Sequence, residues 1–248
     1  MDLQSTFIYF FKKILDKPLN SVFKKYFSEF ALIFISVILA FALTEWSSNQ
    51  GEKISETKIL IEIKNGIKSD VSDFESNLKM HKLSENGVQA LRNWTVNKTV
   101  SQDSLKFYYY IVFRNYSPII NKTGYESLKE TNLKTITNDS LRFQIIKLYD
   151  YHYNILEQIE NKNDEMQDFK TYFSLVNKII APYMVFDNNG NFKTLSKANL
   201  TDIQKKEFLS YLWRMELTKK FKIVRYGQVI SEINKLNNLI ITELKNDR

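Results

Sequence analysis

The stretch Phe30-Ala31-Leu32-Ile33-Phe34-Ile35-Ser36-Val37-Ile38-Leu39-Ala40-Phe41-Ala42-Leu43-Thr44 carries no charge and is closed by Glu29 and Glu45. A run this apolar leaves two possibilities, a helix inside a soluble core or a helix across a bilayer. Its fifteen residues rise only about 22 Å, short of the roughly 30 Å hydrocarbon core. The flanks supply the difference. Phe27 and Ser28 extend it inward and Trp46 and Ser47 outward, with Tyr26 and Trp46 where interfacial aromatics are favoured. The run reads as a transmembrane helix over 27–47, with Glu29 near its inner end.

A cleaved secretory signal is the sharper competitor, because Ala40-Phe41-Ala42 imitates a small-x-small cleavage site. The region before the apolar core is much longer than ordinary signal peptides carry, so an uncleaved anchor is expected. Charge gives the orientation. Residues 1–26 hold Lys12, Lys13, Lys17, Lys24 and Lys25 against Asp2 and Asp16, whereas Lys53 and Lys58 beyond the span are balanced by Glu52 and Glu56. The positive-inside rule places the N-terminus in the cytoplasm and residues 52–248 outside, in the periplasm of a two-membrane bacterium.

The head interleaves Phe7, Phe10, Phe11, Ile14 and Leu15 with lysines at helical spacing, and Pro18 interrupts it. An interfacial helix of this kind lays its apolar face in the inner leaflet, with Lys12, Lys13, Lys17, Lys24 and Lys25 at anionic membrane lipids. The alternative is a helix packed on a partner subunit. The head accounts for +3 of the formal +7, which leaves the remainder too dilute in charge for a nucleic-acid footprint. With no cysteine, an exported domain must be held by packing alone.

The exported part reads as all-α, an antiparallel bundle with long helices. Few glycines and prolines interrupt it, and no hairpin signature is flanked by alternating apolar residues. After a break at Ser47-Ser48-Asn49-Gln50-Gly51, Leu60, Ile63, Ile67, Val71, Phe74 and Leu78 form a stripe that runs on to Leu91 and Trp94. An aromatic-rich helix follows over 103–113 and a short one over 125–130. Asn138-Asp139-Ser140 opens a long amphipathic helix through Ile180, stopped by Pro182. Asp187 to Asn191 is a turn, and Thr201 with Gln204 forms a capping box for a last helix carrying Phe208, Leu212, Phe221, Val229, Ile233, Leu236 and Ile240.

Two stretches together resemble a known family. Glu29, the aliphatic span with Ser36 and Ala40, and Trp46, taken with Tyr125-Glu126-Ser127-Leu128-Lys129 through Ile136-Thr137-Asn138-Asp139-Ser140-Leu141-Arg142, resemble an uncharacterised family of single-pass membrane proteins of Bacteroidota. That family usually has glycine where Ser36 stands and another near Asn132. The resemblance implies a bacterial inner-membrane protein with a helical periplasmic domain, and implies no reaction. Asp103-Ser104-Leu105 and Asp139-Ser140-Leu141 fit the O-glycosylation pattern of that lineage, although helix capping is the expected task of these residues.

Enzyme signatures are missing. His81 and His152 lack the neighbours of bundle di-iron or zinc-protease helices, the scattered glycines form no phosphate-cradling loop, and no nucleophile elbow occurs. No catalytic, cofactor-binding or metal residue is assigned, and no cofactor is expected. Tyr149, His152, Tyr153 and Leu156 share a helix face, which makes His152 a satisfied structural histidine. Glu157, Glu160, Asp164 and Asp168 read as a solvated acidic stripe, and Tyr108-Tyr109-Tyr110 as core aromatics.

The span offers the best partner surface. Glu29, Ser36, Ala40 and Thr44 fall on one helix face, where small residues admit a second backbone and a membrane carboxylate seeks a polar partner. Alternatively Glu29 snorkels to the inner interface. The expectation is a non-catalytic, membrane-anchored scaffold, as a homo-oligomer or an accessory subunit of a cell-envelope complex. The rival is a periplasmic ligand-sensing domain signalling through the span to a separate partner.

Overall fold

The computed structural model describes residues 21–246, with side chains from Tyr26 onward. The interfacial head, with Lys12, Lys13 and Lys17 and the side chains of Lys24 and Lys25, lies outside the described residues. The chain divides into two units, Met1–Ser55 and Glu56–Arg248.

One helix, α1 (Ser21–Thr95), contains the whole apolar run. The break expected at 47–51 is absent. No proline stands there, so every N–H remains available to the helical ladder. The propensity cost of Ser, Asn and Gly, up to about 1 kcal/mol each, is outweighed where helix is already nucleated on both sides. The eighteen-residue window with mean hydropathy 2.2 has none of its residues buried by the chain itself. α1 therefore contains one candidate membrane-spanning helix.

The second unit holds the rest of α1, then α2 (Gln102–Val112), α3 (Thr123–Thr131), α4 (139–162), α5 (Asp168–Ile180), a hairpin of β1 (Met184–Phe186) and β2 (Phe192–Leu195), and α6 (Asp202–Asn246). The fold is helical, as the pattern predicts. The hairpin is a correction, though its turn was legible. Gly190 sits at φ +80°, and the Asp187 carboxylate accepts the N–H groups of Asn189 and Asn191 at 2.9 and 2.8 Å. Strands of three and four residues are too short for an alternation pattern to show.

The long helix expected through Ile180 is likewise broken. Asn138 caps its start, accepting from the N–H groups of Ser140 and Leu141, so the cap is Asn138 and not the Asp139-Ser140 pair. α4 then alternates α-helix (Asp139–Ile146, Asn154–Glu157) with π-helix (Lys147–Tyr153, Gln158–Lys162). It ends where Asn163 turns extended at ψ 107° and its side chain accepts from Glu165 N–H. α6 opens as read, on reciprocal bonds between Thr201 and Gln204 of 3.0 and 3.2 Å.

Two apolar cores form along the antiparallel pair α1 and α6. The first joins Ile59, Leu60, Ile63 and Phe74 of α1 to Tyr226, Val229, Ile233 and Ile240 of α6, with Tyr125, Leu128 and much of α4. The second joins Val88, Leu91 and Trp94 to Phe208, Leu212 and Met215, with α2, α5 and β2. Between them, at 77–84 on α1 and 218–222 on α6, the buried residues are polar. At the end of the first core Glu56, itself buried, accepts Thr137 N–H at 2.8 Å, and Asn138 Nδ2 donates to Glu243 at 2.8 Å. The stretch that carries the family resemblance thus packs beside the first turns of this unit.

Candidate functional site

In the apolar part of α1, α-helical geometry brings Glu29, Ser36, Ala40 and Thr44 within an arc of about 80°. All four are exposed in the single chain. The hydroxyls of Ser36 and Thr44 donate to the carbonyls of Leu32 and Ala40 at 2.7 and 2.8 Å, so neither needs a further partner in an apolar medium. Tyr26 and Trp46 are 65% and 64% exposed at the two ends.

The interior of the second unit departs from expectation at the acidic stripe. Glu157 pairs with Lys122 at 2.8 Å and Asp164 with Lys170 at 2.5 Å near the surface, but Glu160 and Asp168 are fully buried. The α-helical spacing that placed all four on one solvated face does not apply. A π-turn closed by i→i+5 bonds and the stop at Asn163 separate them. Glu160 receives a hydrogen bond from Lys222 Nζ at 2.8 Å, and its other oxygen lies 2.9 Å from His81 Nε2, off the line of a good hydrogen bond. Asp168, in the first turn of α5, pairs with Lys219 Nζ at 2.6 Å, and Lys219 also donates to the Arg114 carbonyl at 3.2 Å. All five side chains are inaccessible to solvent.

Burial holds His81 below its ordinary pKa, against the pull of Glu160, so it is neutral at neutral pH. Burial also lowers Lys222. For Glu160 burial pushes the carboxyl up, but His81 and Lys222 beside it outweigh that and hold it below the usual range. The layer is thus two ion pairs around a neutral imidazole whose Nδ1 has no partner. His152 is not the satisfied histidine expected. It is half-buried, its Nε2 is unpaired, and burial lowers its pKa.

An open cleft of about 570 Å³ lies between α2, α5 and the hairpin. Its wall is a series of ring contacts, Phe169 to Phe173 (4.6 Å, stacked), Phe173 to Phe113 (5.4 Å), Phe113 to Tyr109 (5.6 Å), Tyr109 to Phe192 (5.9 Å) and Phe192 to Phe186 (6.1 Å). Of the tyrosine triplet, Tyr109 is core as expected, and burial lifts its hydroxyl to about 12. Tyr110 instead stands exposed at the cleft with the Arg114 guanidinium 4.3 Å over its ring.

α6 carries a second uncovered surface. Trp213, Leu217, Phe221 and Val224 are 56, 43, 38 and 56% exposed and lie within an arc of about 80°. Phe221, named with the apolar residues of the last helix, faces out, while the next residue, Lys222, takes the buried position. The three-four spacing of Phe208, Leu212, Met215, Tyr226 and Val229 puts position 222 on the buried face, where a lysine is out of place. Only a carboxylate delivered by α4 makes it tolerable. No protein-family model, no curated protein and no solved structure matches this chain.

Proposed function

We propose that this chain is a single-pass, non-catalytic interaction protein of a bacterial inner membrane, with its head in the cytoplasm and its helical unit in the periplasm. The observation that carries the reading is the large apolar surface that folding leaves uncovered, the 27–47 run and the Trp213–Val224 stripe. Lipid covers the first. A partner, a second copy or a larger envelope complex, covers the second and the Glu29, Ser36, Ala40, Thr44 face. The resemblance to the Bacteroidota anchor proteins, and the basic head, support the location and orientation.

The test is extraction in mild detergent followed by sizing of the assembly. Ser36→Leu with Ala40→Leu, and separately Trp213→Ser with Phe221→Ser, are expected to shrink it. An assembly of unchanged size in both double variants removes the basis of the reading. One observation favours the sensor as a second reading, the aromatic cleft beside the buried charge layer, since α1 belongs to that layer and also contains the span.

A further inference from the structure

We propose that the cleft between α2, α5 and the hairpin binds a small flat aromatic carboxylate. The inference rests on the cleft alone, so it stands or falls apart from the interaction reading. Three aromatic residues of its lining, Tyr110, Phe169 and Phe186, are 59, 56 and 53% exposed, so that folding leaves more than half of each uncovered at one site. The volume of about 570 Å³ is that of small-molecule sites, and the lining is mostly aromatic with few polar groups, as such sites are. Ring walls at stacking and edge-to-face separations favour a flat π-system over a flexible chain.

Two polar groups at this wall set the rest of the ligand. The Arg114 guanidinium carbon lies 4.3 Å over the Tyr110 ring, and among the described residues the group has no hydrogen-bond or ion-pair partner. Its N–H fork is left for an oxyanion, which a carboxylate matches with two parallel bonds. Asn115 also lines the cleft, and its amide cannot turn freely. Nδ2 donates to Gln167 Oε1 at 2.6 Å, and Gln167 Nε2 is itself held by the carbonyls of Glu160 and Ile159 at 2.6 and 3.3 Å. That network fixes Asn115 Oδ1 as an acceptor with no donor. That oxygen is closed to solvent in the empty cleft, so a hydroxyl or N–H on the ligand ring supplies the donor once the inserted ring has opened the wall at Asn115. The same network ends on the backbone of Glu160, so the cleft is joined by hydrogen bonds to the buried charge layer.

The experiment is calorimetric titration of the full chain in lipid nanodiscs, with empty nanodiscs as the blank. Hydroxynaphthoate is the probe, with naphthoate, the methyl ester of hydroxynaphthoate and decanoate as comparators. Saturable binding of hydroxynaphthoate is expected, with the ester about tenfold or more weaker because it lacks the charge-assisted bonds. Naphthoate falls between them, and decanoate is weakest. Arg114→Gln removes the preference of acid over ester, and Phe169→Ser weakens every aromatic probe. Both side chains are exposed, so melting temperatures stay within a degree or two of the parent. Equal affinity for acid and ester, decanoate binding as tightly as the aromatic acids, or no saturable binding overturns the proposal.

Discussion

Glu160 is held by two nitrogen-bearing side chains inside the protein, and its loss is expected to be severe. Glu160→Gln strands the Lys222 ammonium without a counter-charge, at a cost of about 3–5 kcal/mol. Glu160→Gln combined with Lys222→Met removes both charges and recovers most of that, measured by thermal unfolding of the full chain in detergent. A double variant no better than the single one means that the pair is not what Glu160 supplies. His81 makes stability depend on pH. Its folded pKa lies below 6.5, so below about pH 6.5 the unfolded chain takes up a proton that the fold resists, and stability falls as pH drops. Glu160, lowered from 4.5, adds its own loss only below about pH 4.5. In the window between, each histidine contributes a fall of up to about 1.4 kcal/mol per pH unit as pH drops, and Asp70, raised from 3.8 by burial, works the other way at its lower end. His81→Phe is expected to flatten the melting temperature between about pH 7 and about pH 5, leaving the residual slope of His152.

At the scale of elements, one close approach sets the packing of α3 on α1. A Cβ on Gly124 would meet Ile63 N at 2.7 Å, backbone against backbone, so α3 lies directly on α1 and nothing flexible can yield. Gly124→Ala is expected to destabilise by about 1–3 kcal/mol, whereas Gly227→Ala, with nothing within 4 Å of the added carbon, is expected to be neutral or stabilising. A denaturation midpoint for each variant decides this. Equal effects would mean that the α3 contact is softer than described. What the sequence disclosed at this scale follows its physics. Caps and turns depend on neighbours in the chain, so Asn138, the 187–191 turn and the Thr201–Gln204 box were legible. The π-turns of α4 change which residues share a face without any change in composition. For that reason Glu160 and Asp168 read as solvent-facing, whereas Lys219 and Lys222 stand in step with Met215 and Tyr226 on α6, and it is their charge that hid them.

Over the whole molecule, the apolar run was legible because its residues are consecutive and uncharged, and folding leaves none of its eighteen-residue window buried. The cleft was not legible, since its rings come from three separated stretches that only tertiary folding brings together. Residues 27–47 are proposed to cross the membrane with the basic head inside. The chain has no cysteine, so Lys13→Cys and Gly51→Cys each create a single thiol, the second at a site where an added side chain meets nothing within 4 Å. In intact cells a membrane-impermeant maleimide is expected to label Gly51→Cys and to reach Lys13→Cys only after the inner membrane is opened. Labelling of both thiols in intact cells would contradict the span, and labelling of Lys13→Cys alone would contradict its orientation.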